Sequence, residues 1–238
     1  MKKYCLLVIC LGAVFTAIAT ENTTEERVSF KEKIDRAIVK FEQTQTQLWS
    51  YTISRYEDEE GDITSSIEQF SPESTERWLL KQTNGQQPTK KQIKSFAEKK
   101  HKPNNKKKQG ENIQLSLREL INQQSLSFIS ADDKHIIMAF DVDWEKLGKD
   151  SVGKLQGKLT YQKEKQFIEK ISIWNNAEFS PMFTAKITDL AVTFTFLQIN
   201  GAVLAKQNEM KMKGSFAYFT EINETSLDTF SDYYYQGE

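Results

Sequence analysis

Phe183-Thr184-Ala185-Lys186-Ile187-Thr188-Asp189-Leu190-Ala191-Val192-Thr193-Phe194-Thr195-Phe196-Leu197-Gln198-Ile199 is the longest alternating stretch in the chain. Leu190, Val192, Phe194 and Phe196 stand two apart, so a strand carries them all on one face. Asn200-Gly201 follows and turns the chain back. In the next segments Met210, Met212, Phe216 and Tyr218 share a face, with Gly214 between them as a bulge.

The same period recurs on both sides. Lys154 to Tyr161 and Phe167 to Trp174 flank the polar turn Lys163-Glu164-Lys165. Ile136, Met138, Phe140 and Val142 alternate with His135, Ile137, Ala139 and Asp141, and Leu126 to Ser130 precedes them across Asp132-Asp133. A final strand runs through Phe230 and Tyr233 to Tyr235. Nearer the start, Trp49, Tyr51 and Ile53 alternate with Ser50, Thr52 and Ser54. The acidic run Glu57 to Asp62 leads into Ile63 to Phe70, which predicts a hairpin. Its acids do not follow an EF-hand ligand order, so the run reads as a wet hairpin tip. Pro72 closes that hairpin, and Arg77 to Lys81 reads as a third strand.

Three segments follow another period. Ile34, Ala37, Ile38, Phe41 and Leu48 predict a helix from about Arg27 to Leu48 that covers a sheet face. After Asn84-Gly85, the run Thr89-Lys90-Lys91-Gln92 has the form of a capping box. A short helix is expected from about Leu115 to Asn122. No β-α-β alternation occurs. The fold class is α+β: a strongly curved antiparallel sheet of about ten strands, a half-open barrel. The N-terminal helix and a helical insertion lie against one face.

Lys2 and Lys3, an apolar run from Tyr4 to Ala17 and Ala17-Ile18-Ala19 form the order of a secretory signal peptide. Residues 1–19 are therefore read as a leader cleaved near Ala19, and 20–238 as one exported domain. A lysine-rich insertion around 97–112 is expected to be flexible. Leu7-Val8-Ile9-Cys10 only loosely resembles a lipidation box, because Ile9 stands where a small residue belongs. Both cysteines, Cys5 and Cys10, fall in the leader, so the remainder has neither disulfides nor thiol chemistry. Without Lys2 and Lys3, the chain holds 30 basic against 33 acidic side chains, a net charge of −3. That balance argues against nucleic-acid binding. The lysines between Lys90 and Lys108 could touch an anionic membrane surface, although a charge run without interleaved aromatics reads better as a solvated loop.

Candidate chemistry is sparse. His101 sits among lysines, and His135 starts a strand with no nucleophile-elbow motif to meet it. HExxH metal motifs and glycine-rich phosphate loops do not occur. Asp141 and Asp143 lie two apart and face the same way, so a carboxylate-dependent hydrolase is one alternative. What remains is apolar surface: Tyr51, Ile53, Trp78, Leu80, Met138, Phe140, Phe194, Phe196, Met210, Met212, Phe216 and Tyr218. Each fits a packed core, and together they fit the adaptable lining of a lipid cavity.

The layout, with Trp78-Leu79-Leu80, Asn84-Gly85 and Pro88-Thr89 in order, resembles the periplasmic lipoprotein-carrier (LolA-like) half-barrels. Phe179-Ser180-Pro181-Met182-Phe183 before a long strand, and the closing Ser231-Asp232-Tyr233, are similar to uncharacterised exported bacterial members. The resemblance implies a periplasmic, non-catalytic protein that binds a lipid or an acylated peptide. The expectation is a monomer without cofactor or metal. An envelope interaction or stress-sensing module without a ligand is the alternative.

Overall fold

Period-two alternation becomes strand structure along most of the chain. The computed structural model describes residues 17–101, 116–142, 147–217 and 219–237, apart from the side chains of residues 17–28 and His101. The helices are α1 (Ala17–Glu42), α2 (Lys90–His101) and α3 (Leu117–Leu120). The strands are β1 (Trp49–Glu59), β2 (Asp62–Phe70), β3 (Trp78–Thr83), β4 (Ser127–Ala131), β5 (His135–Asp141), β6 (Leu155–Gln162), β7 (Phe167–Asn175), β8 (Phe179–Met182), β9 (Ala185–Ile199), β10 (Ala202–Phe216) and β11 (Thr220–Tyr235).

All belong to one antiparallel sheet in the order β3-β2-β1-β11-β10-β9-β7-β6-β5-β4, with β8 paired to β9. The order ends at β3 and β4, so the curved sheet stays open, as the α+β half-barrel reading requires. The pairing of β1 with β11 joins the first hairpin to the last. Asn200 (φ 49°) and Gly201 (φ 86°) both adopt positive φ, the geometry of a tight hairpin turn between β9 and β10.

Register carries one face across the whole sheet. Ile171 opposes Phe194, Phe194 opposes Asn208, Asn208 opposes Asp228, and Asp228 opposes Arg55. This inner face is covered unevenly. Over β5, β6, β7 and β9, α1 and α3 bury Ile34, Ile38, Leu120, Met138, Leu159 and Ile171 completely. Phe41 of α1 meets Phe196 edge to face at 5.2 Å. Thr44, just past α1, accepts a hydrogen bond on its hydroxyl from the Val203 amide at 3.0 Å. Arg118 joins α3 to Asp35 and Glu42 of α1 at 2.8 and 3.1 Å.

Several boundaries shift from the sequence expectation. The N-terminal helix begins at Ala17 and stops at Glu42, and Thr46–Leu48 forms a separate 3-10 turn. β11 starts at Thr220, ten residues before Phe230. The irregularity expected at Gly214 is present, but the extra residue lies opposite it on β9, since Lys213 pairs Asp189 while Gly214 pairs Ile187. A Cβ at Gly214 would collide with the Lys186 carbonyl oxygen, so glycine permits that close approach. The capping box forms as expected. The Thr89 amide donates to Gln92 Oε1 at 2.8 Å and the Gln92 amide to Thr89 Oγ1 at 3.3 Å. Residues 1–16 of the leader expected over 1–19, and residues 102–112 of the insertion expected around 97–112, lie outside the described residues.

Candidate functional site

Beyond the reach of α1, the inner face of β1, β2, β3 and β11 carries aromatic rings. Tyr51 is at their centre. Its ring lies 5.2 Å from Phe70, 5.5 Å from Tyr233, 6.0 Å from Phe230 and 6.1 Å from Trp78. Phe70 and Trp78, directly paired between β2 and β3, stand 5.0 Å apart. Trp49 continues the row to Tyr233 and Tyr235 at 6.3 and 5.2 Å. Tyr233 reaches this row through an extra residue in β11 opposite Ser50–Thr52, where Asp232 has φ 55°. Its hydroxyl donates to the Ala205 carbonyl at 2.7 Å. Burial pushes the Tyr51 hydroxyl pKa up to about 12, with Arg55 opposing and Glu68 reinforcing the shift. Burial raises Tyr233 as well. Both phenols stay neutral at ordinary pH.

A charge network interrupts the apolar face. Arg55 Nε donates to Glu68 Oε1 at 3.0 Å, and its Nη1 donates to Asp228 Oδ2 at 2.6 Å. Glu68 is buried at 6 % exposure. No donor among the described residues is aligned on its Oε2, and the Lys100 ammonium, 3.0 Å away, compensates that oxygen as an ion pair. Burial raises the Asp228 pKa against the pull of Arg55, and Glu68 and Glu57 add to the rise. Lys100 comes from the last turn of α2 and lies 4.1 Å from the centre of the Trp78 ring.

The twelve apolar candidates divide by place. Met138, Phe140 and Phe196 lie in the packed interior beneath α1. Ile53 is buried between the aromatic row and the charge network. Tyr51, Trp78, Leu80, Phe194, Met210 and Met212 are half-buried on the same inner face. Phe216 is exposed at the end of β10. Tyr218 lies outside the described residues, as does Asp143; Asp141 is exposed. Sequence reasoning missed Phe70, Phe230, Tyr233, Arg55, Glu68, Asp228 and Lys100. A signal existed: Arg55 continues the Tyr51-Ile53 parity, so its charge had to face inward.

Two other features are smaller. His135 Nε2 lies 2.9 Å from Glu169 Oε2, and its Nδ1 lies 3.6 Å from Asp132 Oδ1. Two carboxylates thus flank the strand histidine. An open cleft of about 410 Å³ lies among Lys40, Thr44, Trp49, Gly201 and Tyr235. Among the described residues no cluster of His, Cys, Asp and Glu could hold a metal ion, and no helix is long and apolar enough to cross a membrane.

No family model and no curated protein matches the chain. Among solved structures, it is similar to a DUF1329 family protein from Desulfovibrio piger. The identity is 11 %, covering 84 % of this chain and 90 % of that one, with a TM-score of 0.35.

Proposed function

We propose that the protein is an exported, non-catalytic binding protein for an apolar ligand, a lipid or an acylated peptide, taken along the inner face of the open sheet. One observation carries this reading. The face beneath α1 is filled, whereas its continuation over β1, β2 and β11 shows a half-buried floor of Tyr51, Phe70 and Phe230, and half-buried Phe194, Met210 and Met212 of β9 and β10 lead to it from the core they pack against. Aromatic rings and unbranched Met side chains adapt to chains of varied shape. The leader-like N-terminus and the resemblance to lipoprotein carriers support export to the periplasm. Exposed Lys90, Lys91, Lys94 and Lys99 on α2 would favour contact with an anionic membrane surface.

Native mass spectrometry of protein recovered after export tests the reading, together with titration of a neutral fluorescent naphthylamine probe. Co-purified lipid, or probe binding lost on Tyr51→Ala, is expected. Protein that is ligand-free in every preparation and silent to the probe would sink it. A second reading, an envelope interaction module, draws on the same filled half: α1 already occupies the inner face of β5 to β9. Absent lipid together with a specific protein partner would favour that module.

A further inference from the structure

Lys100 holds a place that the cation of a ligand would also satisfy. Its ammonium lies 4.1 Å from the Trp78 ring centre, 5.2 Å from that of Phe96 and 3.0 Å from Glu68 Oε2. Glu68 is 6 % exposed, and its Oε2 has no aligned donor among the described residues. A carboxylate so far from water needs a compensating cation. Arg55 serves the other oxygen and is shared with Asp228. The Oε2 side therefore depends on Lys100, which reaches in from α2 rather than from the sheet.

We propose that Glu68 Oε2 and the face of Trp78 form a cation site for the ammonium headgroup of a single-chain amphiphile, and that Lys100 occupies this site in the free protein. The proposal rests on the apolar-ligand reading and names the headgroup of that ligand. An aromatic face beside a buried carboxylate is a composition that receives alkylammonium groups. Charge sets the sign. With Lys100 withdrawn, two carboxylates, Glu68 and Asp228, face one guanidinium, Arg55. The site is then net negative, which selects against a phosphate or carboxylate head. The floor of Tyr51, Phe70 and Phe230 begins beside the site and offers the attached chain a place to lie. An amphiphile therefore gains on both counts, whereas a bare ammonium gains on one. Binding exchanges one ammonium for another and releases Lys100 to solvent.

Calorimetric titration of octyltrimethylammonium, octanol and octyl sulfate, all below their aggregation concentrations, tests this on the full chain. The variants are Lys100→Met and Glu68→Gln, with folding checked by circular dichroism. Lys100→Met removes the competitor and keeps the stem, so octyltrimethylammonium should bind about tenfold tighter than to the unaltered protein. Octanol should bind both alike, and octyl sulfate should bind weakest. Glu68→Gln should abolish the preference for the ammonium over octanol; Trp78→Leu makes the same test with the carboxylate intact. Equal binding of octanol and octyltrimethylammonium to Lys100→Met would overturn the cation site and leave the apolar reading standing. Binding of none of the three would remove both. Nα-acetyl-lysine N-methylamide, with its ε-ammonium free, binding as tightly as octyltrimethylammonium would place a peptide lysine in the site and overturn the amphiphile.

Discussion

Arg55 is the residue on which the inner-face charges depend. Its side chain is 25 % exposed and holds two carboxylates, of which Glu68 is the deeper. Removing one member of a buried network leaves its partners charged and unpaired, which costs more than the pair itself contributes. Arg55→Met should lower stability by about 3 kcal/mol in urea unfolding at neutral pH. Adding Glu68→Gln and Asp228→Asn should recover more than half of that loss. The penalty should also depend on pH. Burial already raises the Asp228 pKa, and Arg55 is the group that opposes the rise. Without Arg55 the folded-state pKa climbs further above its ordinary value of 3.8. A carboxyl raised in this way is neutral in both states below the unfolded pKa, and it destabilises the fold as pH rises through the folded one. The cost of Arg55→Met should therefore shrink as pH falls from 7 toward 4. A cost that is flat with pH would show that Asp228 takes no part. Glu224 follows the same logic at the edge of the network's strand. Burial and the like charges of Glu59 and Glu60 raise its pKa, and Glu59 stands directly opposite. Glu224→Gln should stabilise by about 0.5 kcal/mol at neutral pH. The gain should fade below the folded-state pKa and be gone near 4.5, read as a shift in urea midpoint.

Among the elements, α1 has the clearest cause. Ile34, Ala37 and Ile38 fall on one stripe and are essentially inaccessible. Ile38→Ala should cost about 3 kcal/mol, because a cavity there is walled by sheet on one side and helix on the other. A loss below 1 kcal/mol would mean that α1 is not what closes this core. Strands under α1 were legible in the sequence for the same reason: one buried face enforces strict alternation, as in Ile136, Met138, Phe140 and Val142. The early part of β11 was not legible. Ile222, Glu224, Ser226 and Asp228 face inward there, but among the described residues no helix packs closely on β11, so polar residues suffice beyond Ile222 and the hydrophobic period disappears. The start of α1 at Ala17 was missed similarly, because no apolar residue marks positions 20–27. Half of the candidate site was legible as aromatic strand faces. Arg55 was legible by its strand parity alone, and Glu68 and Asp228 were not, because isolated charges on strands are ordinarily solvated and only pairing between distant strands reveals these as partners.

At the scale of the whole molecule, one hydrogen-bonded ladder joins two halves with different interiors. The half built on β5, β6, β7 and β9 has a close-packed aliphatic layer under α1. The half built on β1, β2, β3 and β11 has half-buried rings and a charge network, and among the described residues the end of α2 lies above it. Burial of apolar side chains is what raises the local cost of opening, and ladder bonds alone do not supply it. The two halves should therefore open separately although their strands are continuous. Native-state hydrogen exchange should find the amides of β6, β7 and β9 exchanging only through global unfolding. Those of β2 and β3 should exchange through a smaller opening, at least 2 kcal/mol below it in rough terms. An apolar ligand on the aromatic floor should close that gap, because it supplies the missing cover to one half alone. It should leave the slowest amides rising only by the overall binding energy. Uniform protection across β2 and β7 in the free protein would show that the aromatic half is a finished core, and the case for a ligand-receiving face would go with it.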